Sequence, residues 1–89
     1  MKDLIKYAKN DVDFEFLKTL SDMVSSQTEF TLLWSGYSFL VEPHGEEVVI
    51  WHCGDLVARY CCLEDMFLNY KRNGKSFIEC VNDIDFDDN

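Results

Sequence analysis

Hydrophobic residues in the first quarter of the chain recur at three- and four-residue steps. Ile5, Ala8, Val12, Phe16, Leu20 and Val24 fall on one stripe, which predicts a helical region from Asp3 to Val24. Phe14 lies off that stripe, and Asn10-Asp11 offers a break. The same residues therefore also fit two shorter helices, the second capped by Asp11 or Asp13.

Beyond Ser25-Ser26-Gln27-Thr28 the period changes to two. Phe30, Leu32 and Trp34 alternate with Thr31 and Leu33, and Tyr37, Phe39 and Val41 alternate with Ser38, Leu40 and Glu42. Ser35-Gly36 is a tight-turn pair between these two strands. Pro43-His44-Gly45 marks the next turn, because proline does not continue a central strand. Glu47 to Cys53 reads as a third strand, Gly54-Asp55 as a turn, and Leu56 to Cys61 as a short fourth strand.

The helical period returns at Cys62. Leu63, Met66, Phe67 and Tyr70 share a face, Glu64 and Asp65 suit a first turn, and Lys71-Arg72 suit a last turn. Asn73-Gly74 reads as a stop. Ser76-Phe77-Ile78-Glu79 has capping-box spacing, which predicts a further short helix to about Val81. The expectation is one α+β domain over residues 1–89. Its N-terminal helical region packs on a three- or four-stranded antiparallel β-meander, closed by two short C-terminal helices near 62–72 and 76–81.

Charge changes the picture. The chain carries 17 acidic and 8 basic residues, a net charge of -9, yet 47% of its 89 residues are hydrophobic. With 7 Phe, 4 Tyr and 2 Trp it has the apolar material for a core, so the acidity belongs to a folded surface and not to a disordered tail. Such a surface repels nucleic acid and anionic lipid and attracts basic protein surfaces. After Lys75 there is no cation, while Glu79, Asp83, Asp85, Asp87 and Asp88 crowd the end. No run approaches a membrane span, and the N-terminus lacks the apolar stretch of an export signal, so a cytoplasmic protein is expected.

Signals for chemistry are sparse. Cys53, Cys61, Cys62 and Cys80 show no C-x-x-C spacing and read as free structural thiols, with no metal and no cofactor. His52 and Cys53 are strand neighbours, and neighbours in a strand point to opposite faces, so no nucleophile–base pair is expected between them. Glu46-Glu47 are adjacent at a strand start and do not resemble an acid–base pair in a cleft. The terminal aspartates lack the glycine and closing glutamate of a calcium loop, and the glycines read as turn residues. The expectation is that the protein is not an enzyme.

Ser35-Gly36-Tyr37-Ser38-Phe39 with Val41-Glu42-Pro43, Leu63-Glu64-Asp65-Met66-Phe67 with Tyr70, Asn73-Gly74-Lys75-Ser76 and Asp83-Ile84-Asp85-Phe86 carry a resemblance over residues 35–86. Together they resemble small acidic proteins of the prophages and mobile elements of Gram-positive bacteria. The cysteines depart from that pattern. The resemblance implies a helix, a meander and short closing helices, with no catalytic residue to transfer. It also implies a setting in which small acidic proteins block host-defence nucleases, sometimes by imitating DNA.

The functional expectation is a non-enzymatic inhibitor that binds a basic, nucleic-acid-processing protein such as a CRISPR nuclease. Glu42, Glu46, Glu47, Asp55, Glu79, Asp83 and Asp85 are its candidate contact carboxylates, and Trp34 and Trp51 its candidate anchors. The alternatives are an immunity protein that neutralises a cognate toxin and a small structural or regulatory subunit.

Overall fold

A computed structural model of the chain describes residues 8–87. The order is α1 (Asp11–Ser25), β1 (Phe30–Trp34), β2 (Tyr37–His44), β3 (Glu47–His52), β4 (Asp55–Tyr60), α2 (Leu63–Asn69), β5 (Lys71–Arg72), β6 (Lys75–Ser76), a 3-10 segment (Ile78–Asp83) and β7 (Ile84–Phe86). The protein is α+β, with α1 followed by a five-stranded antiparallel sheet in the order β4-β3-β2-β1-β7.

The second of the two helical readings describes α1 better. The predicted start at Asp3 lies outside the described residues, as does Ile5. Asn10, and not Asp11 or Asp13, is the N-cap: its extended backbone leaves the side-chain oxygen to accept the Asp13 N–H at 2.9 Å. Asp13 in turn accepts the Lys9 N–H at 3.3 Å, which lets a carboxylate sit buried in the first turn. The core stripe is Asp13, Leu17, Leu20 and Val24, whereas the predicted stripe member Val12 is 77% exposed. Both stripes share Leu20 and Val24. The N-terminal half is one residue out of phase because Asp13, satisfied by backbone, takes an inward position that hydropathy assigns to Val12. At the other end Gln27 is left-handed (φ 58), with Gln27 N–H to Val24 O and Thr28 N–H to Met23 O, a Schellman closure.

The meander forms as its alternation predicts, in the register Leu32↔Phe39, Val41↔Ile50 and Ile50↔Ala58. Pro43 does not end β2. The β1 pairing stops at Phe30↔Val41, so one side of β2 is free beyond it and a residue without an N–H is tolerated there. The third strand ends at His52, one residue before the predicted Cys53. Cys53 (φ 51) and Gly54 (φ 84) both adopt positive φ, as a two-residue type I′ hairpin requires.

The C-terminal third differs most from expectation. α2 buries Leu63, Met66 and Phe67 as predicted, but it stops at Asn69. Lys71-Arg72 are not its last turn: they form β5, and Asn73-Gly74 is the loop of the hairpin to β6. The Tyr70 carbonyl accepts the Phe77 N–H at 2.9 Å, which draws the chain back on itself. The short helix near 76–81 is instead a kinked 3-10 segment, in which Cys80 leaves helical geometry. Half of the capping box is present, with Glu79 Oε2 accepting the Ser76 N–H at 3.1 Å. Ile84–Phe86, to which the sequence pattern assigns no element, pairs with β1 as the fifth strand.

α1 and α2 contribute to one core with the inward residues of the sheet, including Leu32, Phe39, Val41, Val48, Ile50 and Ile84. Phe67 and Phe77 stack at 4.8 Å, and Trp34 meets Tyr70 and Phe77 edge-on at 5.7 and 5.6 Å. The outward face of the sheet has neither α1 nor α2 on it.

Candidate functional site

Strand register decides what lies on that outward face. Opposite partners point the same way, so the pairs Thr31↔Leu40↔Trp51↔Leu56, Leu33↔Ser38, Leu33↔Asp85 and Glu42↔Val49↔Arg59 share it. Leu33 and Leu56 are exposed, Leu40 and Trp51 half-buried. An apolar row led by Trp51 therefore crosses the sheet, with Asp85 towards one edge and Glu42 and Glu47 beyond the row. In the five strands the acidic residues are Glu42, Glu47, Asp55 and Asp85, and the only Lys or Arg is Arg59. Arg59 lies 3.4 Å from Glu47, both partly exposed.

The Trp51 indole N–H donates to Glu42 Oε1 at 3.0 Å, and His44 Nε2 lies 3.2 Å from the same oxygen. These hydrogen bonds, Trp51 first, hold the Glu42 carboxyl below its usual range, so it is a carboxylate at neutral pH. Thr31, Ser38, Leu40, Glu42, Trp51 and Cys53 line an open groove of roughly 390 Å³ on this face. Ser38 also donates to Asp87 Oδ2 at 2.6 Å, which fastens the segment after β7 across β1 to β2.

The predicted contact residues divide. Glu42, Glu47, Asp85 and Trp51 come together on the open face. Asp55 is exposed at the β3–β4 turn, and Glu46 is exposed in the β2–β3 turn at the opposite end of the strands. Glu79 and Asp83 belong to the 3-10 segment: Glu79 holds the Ser76 N–H, and Asp83 borders a second groove with Arg72 and Lys75. Trp34 is not an anchor. It is 3% exposed, and it points inward because Phe30, Leu32 and Trp34 share the core-facing parity of β1.

His52 and Cys53 are not held apart on opposite faces as expected. Cys53 Sγ lies 3.5 Å from His52 Nε2, because Cys53 has left the strand for a left-handed turn position and its side chain no longer alternates with that of His52. His52 Nδ1 is 2.7 Å from the Ser38 carbonyl, its ring stacks on Tyr37 at 4.2 Å, and Arg72 covers Tyr37 from 3.9 Å. Sequence reasoning also missed Leu33, Leu40 and Leu56 as surface residues. Only the choice of covered face distinguishes them from core leucines.

Among the described residues no group of three His, Cys, Asp or Glu side chains is placed to hold a metal ion, and no helix is long and apolar enough to cross a membrane. No family model, curated protein or solved structure matches this chain.

Proposed function

We propose that this protein is a non-enzymatic binding protein whose open sheet face docks on a basic, nucleic-acid-processing protein and inhibits it, in the manner of a phage inhibitor of host defence. The observation that carries this reading is the conjunction on one face of an apolar row, Leu33, Leu40, Trp51 and Leu56, with Glu42, Glu47 and Asp85 around it and Arg59 as the one Lys or Arg in the strands of that five-stranded sheet. An aromatic anchor with a charged rim is what protein interfaces use, and the sign of the rim selects a cationic partner. A surface that binds phosphate backbones is such a partner, so the carboxylates stand where a nucleic acid would lie.

The test uses a purified basic nuclease of the defence class, with its duplex substrate as competitor. Binding is followed by interferometry and cleavage by gel. Expected are inhibition of cleavage, displacement by the duplex, and affinity that falls from low salt to about 0.5 M. Tight binding that the duplex leaves untouched and that salt does not weaken would overturn the reading.

A further inference from the structure

The four cysteines occupy different chemical settings, and one of them is built differently from the rest. A carbonyl oxygen only accepts, so the 2.7 Å contact to Ser38 places the proton of a neutral His52 ring on Nδ1. The Nε2 lone pair then faces Cys53 Sγ at 3.5 Å. Stacking on Tyr37, itself covered by Arg72, keeps the ring from turning away. This is a thiol, a base and a group that orients the base, and the thiol lines the groove that Leu40, Trp51 and Glu42 border.

Cys61 provides the contrast within the same molecule. It too is exposed, but its thiol lies 3.4 Å from Asp65 Oδ2. That carboxylate holds the proton on sulfur and pushes the Cys61 pKa up. Cys62 is half-buried and accepts the Asp65 N–H at 3.4 Å, and Cys80 is buried.

We propose that Cys53 is a modification site, a nucleophilic thiol served by His52 as base, which exchanges with small neutral or cationic disulfides. The class follows from the groove: its apolar wall is Leu40 and Trp51, and its one charged lining side chain is Glu42. In the reaction the Cys53 proton passes to His52 Nε2 and the thiolate attacks one sulfur of the disulfide. A bond forms from Cys53 Sγ to that sulfur as the S–S bond breaks, and the departing thiolate recovers the proton from His52. The incoming disulfide is the oxidant, one thiol leaves, and the adduct occupies the groove beside Trp51. The chemistry does not depend on the identity of any protein partner.

The experiment treats the folded protein with dipyridyl disulfide, follows release of pyridinethione, and maps adducts on each cysteine by peptide mass spectrometry over time. Cys53 is expected to be modified first, on the order of tenfold or more faster than Cys61. The preference for Cys53 over Cys61 should be greater with cystamine, a cationic disulfide, than with an anionic aromatic disulfide, since the ratio cancels each reagent's own leaving-group reactivity. His52→Gln should bring the Cys53 rate down to that of Cys61. Buried Cys80 reports on the fold in the same spectra. If His52→Gln makes Cys80 reactive, the wild-type ranking of Cys53 against Cys61 decides instead. Equal rates at Cys53 and Cys61 in the wild type, or an unchanged Cys53 rate in a folded His52→Gln variant, would overturn the proposal.

Discussion

The Gln27 side chain clasps the Gly45 peptide from both sides: Nε2 donates to the Gly45 carbonyl at 2.8 Å and Oε1 accepts the Gly45 N–H at 2.6 Å. The end of α1 is thereby tied to the β2–β3 turn. Nε2 is also 2.8 Å from the Val24 carbonyl, so one amide closes the helix and holds the turn. Gln27 occupies a left-handed position that glycine would adopt more readily, and the clasp offsets that local strain.

Substitution separates the two effects. Gln27→Ala, which keeps the strained backbone and loses the hydrogen bonds, should cost about 1–2 kcal/mol in urea unfolding. Gln27→Gly should cost less, since it relaxes the backbone, but should remain below wild type. A Gln27→Ala protein as stable as wild type would show that the clasp contributes nothing.

The two tryptophans should behave oppositely. Trp34→Ala removes a core side chain packed against Phe39, Tyr70 and Phe77 and should cost about 3–5 kcal/mol. Trp51→Ala should keep the fold, with a smaller loss in thermal unfolding, and should speed dissociation of a bound partner. Similar stability losses for both would mean that the open face is structural.

Charge on that face should act on encounter. Glu42→Lys with Glu47→Lys is expected to slow association by about tenfold at low salt and to leave dissociation nearly unchanged. Exposed charges are screened over about 10 Å at 0.1 M ionic strength, so the deficit should shrink as salt rises. The same pair of reversals acting only on the dissociation rate would refute steering by these carboxylates.

Acid should weaken the fold through two identified groups. Hydrogen bonds from Trp51 and His44 lower the Glu42 pKa, and the Cys61 N–H, followed by the Asn69 amide, lowers that of Asp65. A carboxyl whose folded pKa is depressed contributes stability that is complete above its unfolded value, near pH 4, and is lost as pH falls through the folded value. Urea midpoints measured at about pH 6 and about pH 3 should therefore fall, and less so in Glu42→Gln and Asp65→Asn, which keep the shape and remove the titration. Identical slopes in wild type and variants would assign the acid response to other groups.

Much of the architecture was legible in the residues because local signals and burial agree there. Alternation over Phe30–Trp34 and Tyr37–Val41, with Ser35-Gly36 between, specified a hairpin and which of its residues share a face. Leu63, Met66 and Phe67 specified the buried side of α2. The misreadings fall where a local pattern fits two structures. Lys71-Arg72-Asn73-Gly74 reads equally as a helix end and as a hairpin, and the return bond from Phe77 to Tyr70 settles it.

The chain by itself determined the acidity, the supply of apolar side chains and the period of most elements, because these depend on residues close in sequence. Tertiary structure decided the fifth strand, since a three-residue segment such as Ile84–Phe86 is a strand only when β1 offers an unpaired edge. It decided that Trp34 is core and Trp51 surface, because alternation sorts residues into two faces and only helix packing says which face is covered. It also brought Cys53 against His52, because a left-handed turn residue is released from the alternation that separates neighbours in a strand.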